Sequence, residues 1–368
     1  MSDSRLHKLS KLGQSVWIDF LSREMLQTGG LERLMRDDAV VGVTSNPTIF
    51  QKAISQGDLY DEQIRDCLDE HDEPKEIFWR LAETDIGNAC DLLRPVWDGT
   101  GGKDGFVSIE VDPNLAGDTQ ATIAEARRLH EQIDKPNLYV KIPATKAGLP
   151  AIEEMIASGK NINVTLIFSL ERYGEVAEAY IRGLERLADT GGDVSRVASV
   201  ASFFVSRVDT EADKRLDETG GHDELKGKLA VANAKLAYQR YKKIFSGPRW
   251  DALAAQGATT QRCLWASTST KNPEYSDVLY VDELIGPETV NTMPEETIQA
   301  FQDHGKVALT LEQGIDEAKR LFDQLAEAGI DYDDVTRVLE EEGVQKFADS
   351  FSELLDGIAA KRGELAAA

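Results

Sequence analysis

Residues 137–146 read NLYVKIPATK, and the parity of that stretch decides the fold. It is a short apolar and aromatic run with one lysine inside it. Side chains alternate across a strand, so Leu138, Val140 and Ile142 share one face while Tyr139 and Lys141 share the other. An apolar run of this kind belongs to a parallel sheet covered by helices, where a lone ammonium is costly. Lys141 therefore either serves chemistry in a closed interior or is neutralised there by a carboxylate.

Seven further runs alternate with long helical patterns: SVWIDF (15–20), AVVGVTS (39–45), GFVSIEV (105–111), NVTLIF (163–168), VASVASFF (197–204), CLWAS (263–267) and VLYVDELIG (278–286). Strand followed by helix implies parallel strands with right-handed crossovers. An open doubly wound sheet shows the same alternation, but eight strands favour a (β/α)8 TIM barrel. The intervening helices are amphipathic, as in Leu170, Tyr173, Val176, Tyr180, Leu184 and Leu187. The fold class is thus α/β, with one domain expected over 1–368 and a mostly helical C-terminal extension over 294–368. The stripe Phe347, Phe351, Leu354, Leu355 and Ile358 in that extension is expected to pack on the barrel exterior, and the closing GELAAA to fray.

Composition narrows the partners. With 65 acidic against 41 basic side chains the net charge is -24, which repels phosphate backbones and anionic lipid heads and disfavours nucleic acid and membranes as partners. An anionic substrate would need local Lys or Arg. The 3 cysteines, Cys67, Cys90 and Cys263, have no C-x-x-C spacing and suit a reducing cytoplasm. No apolar run approaches the roughly 20 residues of a membrane helix. His7, His71 and His130 form no close-spaced ligand pair and read as surface residues, so no metal is expected. GTGGKDG (99–105) lacks the P-loop order and reads as a flexible loop.

Parity applied to the other strands returns a set. In GFVSIEV, Ser108 and Glu110 take the inner face. In NINVTLIF, Asn163 and Thr165 point inward while Ile162, Val164, Leu166 and Phe168 point outward. In SVWIDF, Asp19 goes with Trp17, and GVTSNPT ends on Thr44 and Asn46. Functional groups of such barrels gather at the C-terminal strand ends. Burial lowers a lysine's pKa, and the neutral amine is the form that attacks a carbonyl to make a Schiff base. The competing reading is a structural ion pair of Lys141 with Glu110 or Asp19. Asn46 before Pro47 could be only a turn residue, Asp19 could cap a helix beginning near Ser22, and Asn163 and Thr165 could satisfy backbone groups. Ser202 and Arg207 precede a helix expected near Asp209, a setting suited to a phosphate. Ser267 and Lys271 lie in a hydroxyl-rich loop after the seventh strand, where barrel phosphate sites often fall.

WIDF, GVTSNPTIF, SIEVDP, YVKIPAT, INVTLIFS, SFFVSR and STKNP, spread over essentially the whole chain, together resemble the transaldolase family in its longer bacterial form. That resemblance implies cofactor-free, metal-independent transfer of a dihydroxyacetone unit between sugar phosphates in the pentose phosphate pathway. It places Lys141 as the Schiff-base lysine and Asp19 as the acid/base at the C4 hydroxyl. Glu110 and Thr165 would position a water for proton transfer, and Asn46 and Asn163 would hold the dihydroxyacetone moiety. Ser202 and Thr44 fall at substrate-binding positions, Arg207 at the phosphate arginine. Shorter transaldolases carry a second arginine where this chain offers Lys271 beside Ser267. Phe204 resembles transaldolases, whereas the small fructose-phosphate aldolases tend to have tyrosine there. Other readings are such an aldolase, a silent sugar-phosphate-binding barrel, and a pyridoxal-phosphate enzyme. A homo-oligomer is compatible with all of them.

Overall fold

The computed structural model describes residues 4–55, 57–69 and 73–367; His71 lies outside them. Eight parallel strands close into a barrel in chain order: β1 Gln14–Ile18, β2 Val40–Val43, β3 Phe106–Glu110, β4 Leu138–Pro143, β5 Ile162–Ile167, β6 Ser199–Phe204, β7 Arg262–Ala266 and β8 Thr289–Met293. Closure comes from β8 pairing with β1, Trp17 level with Thr292. Amphipathic helices cover the outside, and the helix Leu170–Asp189 buries Tyr173, Val176, Tyr180, Leu184 and Leu187 as its periodicity predicts.

The eighth strand differs from the expectation. VLYVDELIG is not a strand; it holds the short helix Leu279–Glu283, which buries Tyr280 and Val281, with Leu284 and Ile285 buried just beyond. Those two pairs lie four residues apart, which is a helical period. The true β8 starts after the turn at Gly286 and Pro287. β5 also departs from strict alternation. Its register slips between Val164 and Ile167, with Leu166 at φ 60, so Leu166 and Phe168 leave the outward face assigned to them. A Cβ on Gly343 would sit 3.0 Å from Leu166 and 3.5 Å from Phe168, so both turn toward the C-terminal helix.

That helix, Tyr332–Ala367, stays helical through Ala367 rather than fraying over GELAAA. Its stripe is buried as expected, with Phe347, Phe351, Leu354 and Ile358 inside and Leu355 at the edge. The partner surface is, as expected, on the barrel exterior: the outer helices Pro47–Ser55 and Pro74–Gly99 at its C-terminal end. Phe351 packs edge-on against Phe78, which meets Phe50 in the same way, at 5.3 and 5.7 Å between ring centres. This draws the helix across the C-terminal mouth, where Phe347 faces the interior.

Inside the barrel, register confirms the inward set, because residues paired across parallel strands point the same way. Ser108 is level with Tyr139, Glu110 with Lys141, and Lys141 with Asn163. The middle is filled by Trp17, Phe106 and Tyr139, the last two stacked at 4.1 Å. Trp17 takes the space a side chain on Gly42 would need: a Cβ there would lie 2.4 Å from the indole. Below this plug, Asp104 of the Gly99–Gly105 loop is buried against Arg262 and Ser15, so the loop forms part of the floor. His130 is not a surface residue. It is buried with Nε2 3.0 Å from the Asn161 carbonyl, and burial lowers its pKa to about 4.

Candidate active site

The polar layer sits at the C-terminal ends of the strands because the backbone ladder carries on past them. The amide of Asp19 donates to the Met293 carbonyl (2.8 Å) and that of Thr44 to Ile18 (2.9 Å), which sets the two side chains next to each other. Thr44 Oγ1 lies 2.6 Å from Asp19 Oδ1 and 2.7 Å from Thr292 Oγ1. Asp19 caps no helix; Ser22 caps the one that follows.

Lys141 is 5% exposed, and its Nζ donates to the Ser45 carbonyl at 3.2 Å and stands 3.3 Å from Glu110 Oε2. The Glu110 pair is an ion contact outside hydrogen-bond geometry. Burial raises the carboxyl pKa of Glu110, against the opposing charge of Lys141. Burial likewise raises Asp19, opposed by the Thr44 hydrogen bond and by the charges of Lys141, Arg207 and Lys271. Two carboxyls raised by burial beside a buried lysine are suited to exchanging protons with a bound molecule.

Asn163 lies one step below the cavity, its amide donating to Ser108 Oγ (3.1 Å) and accepting from Ser202 Oγ (2.7 Å). Asn46 lines the cavity and also caps the helix Pro47–Ser55, its Oδ1 accepting from the Ile49 amide at 3.0 Å. The turn reading of Asn46 is thus realised without removing it from the site. Thr165 Oγ1, Glu110 Oε2 and Arg207 Nη1 are buried with no hydrogen-bond partner among the described residues. Buried polar groups are normally satisfied, so three such atoms around one lysine point to a polar ligand.

Arg207 lies inside the first turn of the helix Ser206–Thr219, which starts three residues earlier than expected. Its guanidinium lies over the rings of Phe204 and Phe347, at 5.1 and 5.8 Å, and burial lowers its pKa. Ser267, at φ 56, bonds through Oγ to Ser206 Oγ (2.9 Å) and so fixes the start of that helix to the end of β7. Lys271 is at the rim with Nζ 2.6 Å from Ser269 Oγ. These groups enclose a cavity of about 180 Å³ lined by Asp19, Thr44, Asn46, Lys141, Thr165, Ser202, Phe204, Arg207, Ser267 and Lys271. Clefts of about 520, 590 and 650 Å³ lie elsewhere, but none of them reaches the polar strand ends around Lys141, so chemistry rather than volume selects the site.

Sequence reasoning missed Thr292, Pro294, Glu296, Ser269 and Phe347, all on the cavity wall. Thr292 was lost with the misplaced strand; the Gly286-Pro287 turn followed by alternating TVNTM was the available signal. Among the described residues no group of His, Cys, Asp or Glu could hold a metal ion, and no helix is long and apolar enough to cross a membrane.

A closed parallel barrel with a lysine and two raised carboxyls at its C-terminal mouth has the layout of a TIM-barrel enzyme. The chain matches the family "Transaldolase/Fructose-6-phosphate aldolase" over residues 16–358. It is 54% identical over 361 residues to a protein named transaldolase from Frankia alni, covering 97% of each chain. A transaldolase from Acidothermus cellulolyticus is 56% identical over 351 residues, 95% of this chain and 94% of that one. "Transaldolase 2" of Streptomyces coelicolor is 52% identical over 370 residues, 100% and 99%. The chain belongs to the transaldolase/fructose-6-phosphate aldolase family.

Proposed function

We propose that this protein is a transaldolase that moves a dihydroxyacetone unit from sedoheptulose 7-phosphate to glyceraldehyde 3-phosphate, giving erythrose 4-phosphate and fructose 6-phosphate in the non-oxidative pentose phosphate pathway. The observation that carries this reading is Lys141 buried 3.3 Å from Glu110 in the cavity that also holds Asp19 and Arg207. The amine of Lys141 adds to the ketose C2 carbonyl, and loss of water gives a protonated imine. Glu110 and Thr165 handle the proton of that water. Asp19 takes the C4 hydroxyl proton as the C3–C4 bond breaks, and the electron pair enters the imine to leave an enamine. The first aldose departs, and the enamine carbon attacks the acceptor aldehyde while Asp19 returns the proton to the new C4 oxygen. Water then releases the ketose from Lys141.

Asn46 and Ser202, the latter oriented by its bond to Asn163, would hold the dihydroxyacetone hydroxyls. Arg207 and Lys271 supply the local positive charge that a phosphate needs against the acidic overall field. The whole chain 1–368 acts as one domain in this reading, because the C-terminal helix contributes Phe347 to the site. A cytoplasmic setting suits Cys67, Cys90 and Cys263, which are buried thiols.

The test is borohydride reduction with fructose 6-phosphate, followed by peptide mass spectrometry. A reduced dihydroxyacetone adduct on Lys141, with turnover that needs erythrose 4-phosphate, is the expected result. No adduct in folded, sugar-binding protein would overturn the reading. An adduct with free dihydroxyacetone released at full rate without acceptor would make the protein an aldolase instead.

A further inference from the structure

We infer that Thr292, at the end of β8, is a positioning residue that fixes which oxygen of Asp19 exchanges protons with substrate, acting through the hydroxyl of Thr44. The inference rests on the acid/base role proposed for Asp19. Thr44 Oγ1 touches two oxygens, Asp19 Oδ1 at 2.6 Å and Thr292 Oγ1 at 2.7 Å, and has one hydrogen to give. An ionised carboxylate only accepts, so that hydrogen belongs to Asp19 Oδ1. The contact between the two threonines must then be made by the hydrogen of Thr292. The chain therefore runs one way, from Thr292 through Thr44 to Asp19.

Neither threonine can be replaced by bulk water, since Thr44 is 2% and Thr292 3% exposed. Thr292 is itself held on both sides: its strand pairs with β1 at Trp17, and its carbonyl accepts from Thr268 Oγ1 at 3.2 Å. While Asp19 is ionised, the Thr44 hydrogen therefore stays on Oδ1, with Thr292 donating to Thr44 from the other side. Oδ2 is thus left as the oxygen that takes the C4 proton and gives it back. Donation along the chain also polarises Thr44 and strengthens its bond to the carboxylate, which opposes the upward push of burial on Asp19. The other charges facing Asp19 are Lys141, Arg207 and Lys271, with Glu110 beside Lys141, and none of them changes when the Thr292 hydroxyl is removed.

The experiment compares Thr292→Val, which keeps the shape and loses the hydroxyl, with Thr292→Ser, which keeps the hydroxyl, each alone and in a Thr44→Val background. Thr292→Val is expected to lower kcat roughly ten-fold and to move the acidic limb of the kcat/KM profile to higher pH, with KM changed less than about two-fold. Thr292→Ser should stay within about two-fold of wild type, and in the Thr44→Val background Thr292→Val should add nothing further. Thr292→Ala is read in the same way if valine disturbs the packing. An unshifted pH profile, serine as impaired as valine, or losses that multiply with Thr44→Val would overturn the inference. Borohydride trapping on wild-type Lys141 separates the two levels: if it fails, the acid/base reading itself falls. If it succeeds while Thr292→Val behaves as wild type, only the role of Thr292 falls.

Discussion

Each end of the barrel buries one cation beside one carboxylate, and the two ends complete the arrangement differently. At the floor, Arg262 donates to Ser15 Oγ (2.8 Å), the Lys103 carbonyl (2.6 Å) and Asp104 Oδ1 (3.0 Å), while Asp104 Oδ2 accepts from Ser15 (2.9 Å). Both oxygens of that carboxylate are used. At the mouth, Lys141 bonds one carbonyl and stands beside a Glu110 oxygen that, like Thr165 Oγ1 and Arg207 Nη1, has no hydrogen-bond partner among the described residues. Burial of charge is common to both ends and so does not mark a site. What marks it is leftover hydrogen-bonding capacity gathered around a buried lysine, since single unpartnered atoms also occur at the other ends of the strands, at Gln14 Oε1 and Gln261 Oε1; a saturated pair is a strut, and an unsaturated one still has atoms to offer a ligand.

The largest expected effect tests the mouth. Lys141→Met should abolish ketose transfer, a loss of about 10⁴-fold or more, since the other lysine of the cavity, Lys271, sits at its exposed rim. The same variant should change stability by no more than about 1 kcal/mol. Without Lys141 the carboxyl of Glu110, already raised by burial, loses the charge that opposes the rise, which favours its neutral form over an unpaired buried charge. Denaturant titration near neutral pH measures this. A loss of about 3 kcal/mol or more would show that the pair is a strut like the one at the floor.

Arg262→Met is the reverse experiment. It strands Asp104 beneath the aromatic plug, so it should cost about 3 kcal/mol of stability while kcat per folded molecule stays within about two-fold of wild type. Chemical denaturation and active-site titration by borohydride trapping separate those quantities. A folded variant with kcat down ten-fold would mean that the two ends are coupled through Tyr139 and Trp17.

The contrast between the ends also shows what a sequence can reveal. Strand parity found Asp19, Glu110, Lys141, Asn163 and Thr165, because a closed barrel gives each strand only two faces and a polar residue on the inner one stands out. Parity says nothing about satisfaction. Arg262 and Lys141 both point inward, and only three-dimensional partners separate the strut from the site. Two other features were hidden for physical reasons. The dense apolar run of residues 278–286 looked like a strand, since short buried helices and short buried strands share composition. The slip in β5 at Leu166 leaves no mark, because a bulge is set by its neighbours rather than by its own residue type.

Phe347 gives the smallest predicted effect and the finest test of the comparison. The apolar stripe of the C-terminal helix identified a buried face but not what it is buried against, and the structure sets Phe347 over the mouth, 6.0 Å from Lys141 Nζ and 5.8 Å from Arg207 Cζ. The saturated Arg262–Asp104 pair needs no such cover, whereas the mouth needs its arginine aimed without consuming the donors that would meet a phosphate. Cation–π contact does this: the guanidinium lies over the Phe204 and Phe347 rings, at 5.1 and 5.8 Å, and Nη1 keeps no hydrogen-bond partner among the described residues. Phe347→Leu keeps the apolar cover and removes one of those rings, which is worth about 1 kcal/mol. KM for fructose 6-phosphate should therefore rise about five-fold while kcat and trapping at Lys141 stay near wild type. An equal loss with unphosphorylated fructose would show that Phe347 only closes the site. A loss confined to the phosphorylated sugar would show that this helix serves the mouth by orienting Arg207.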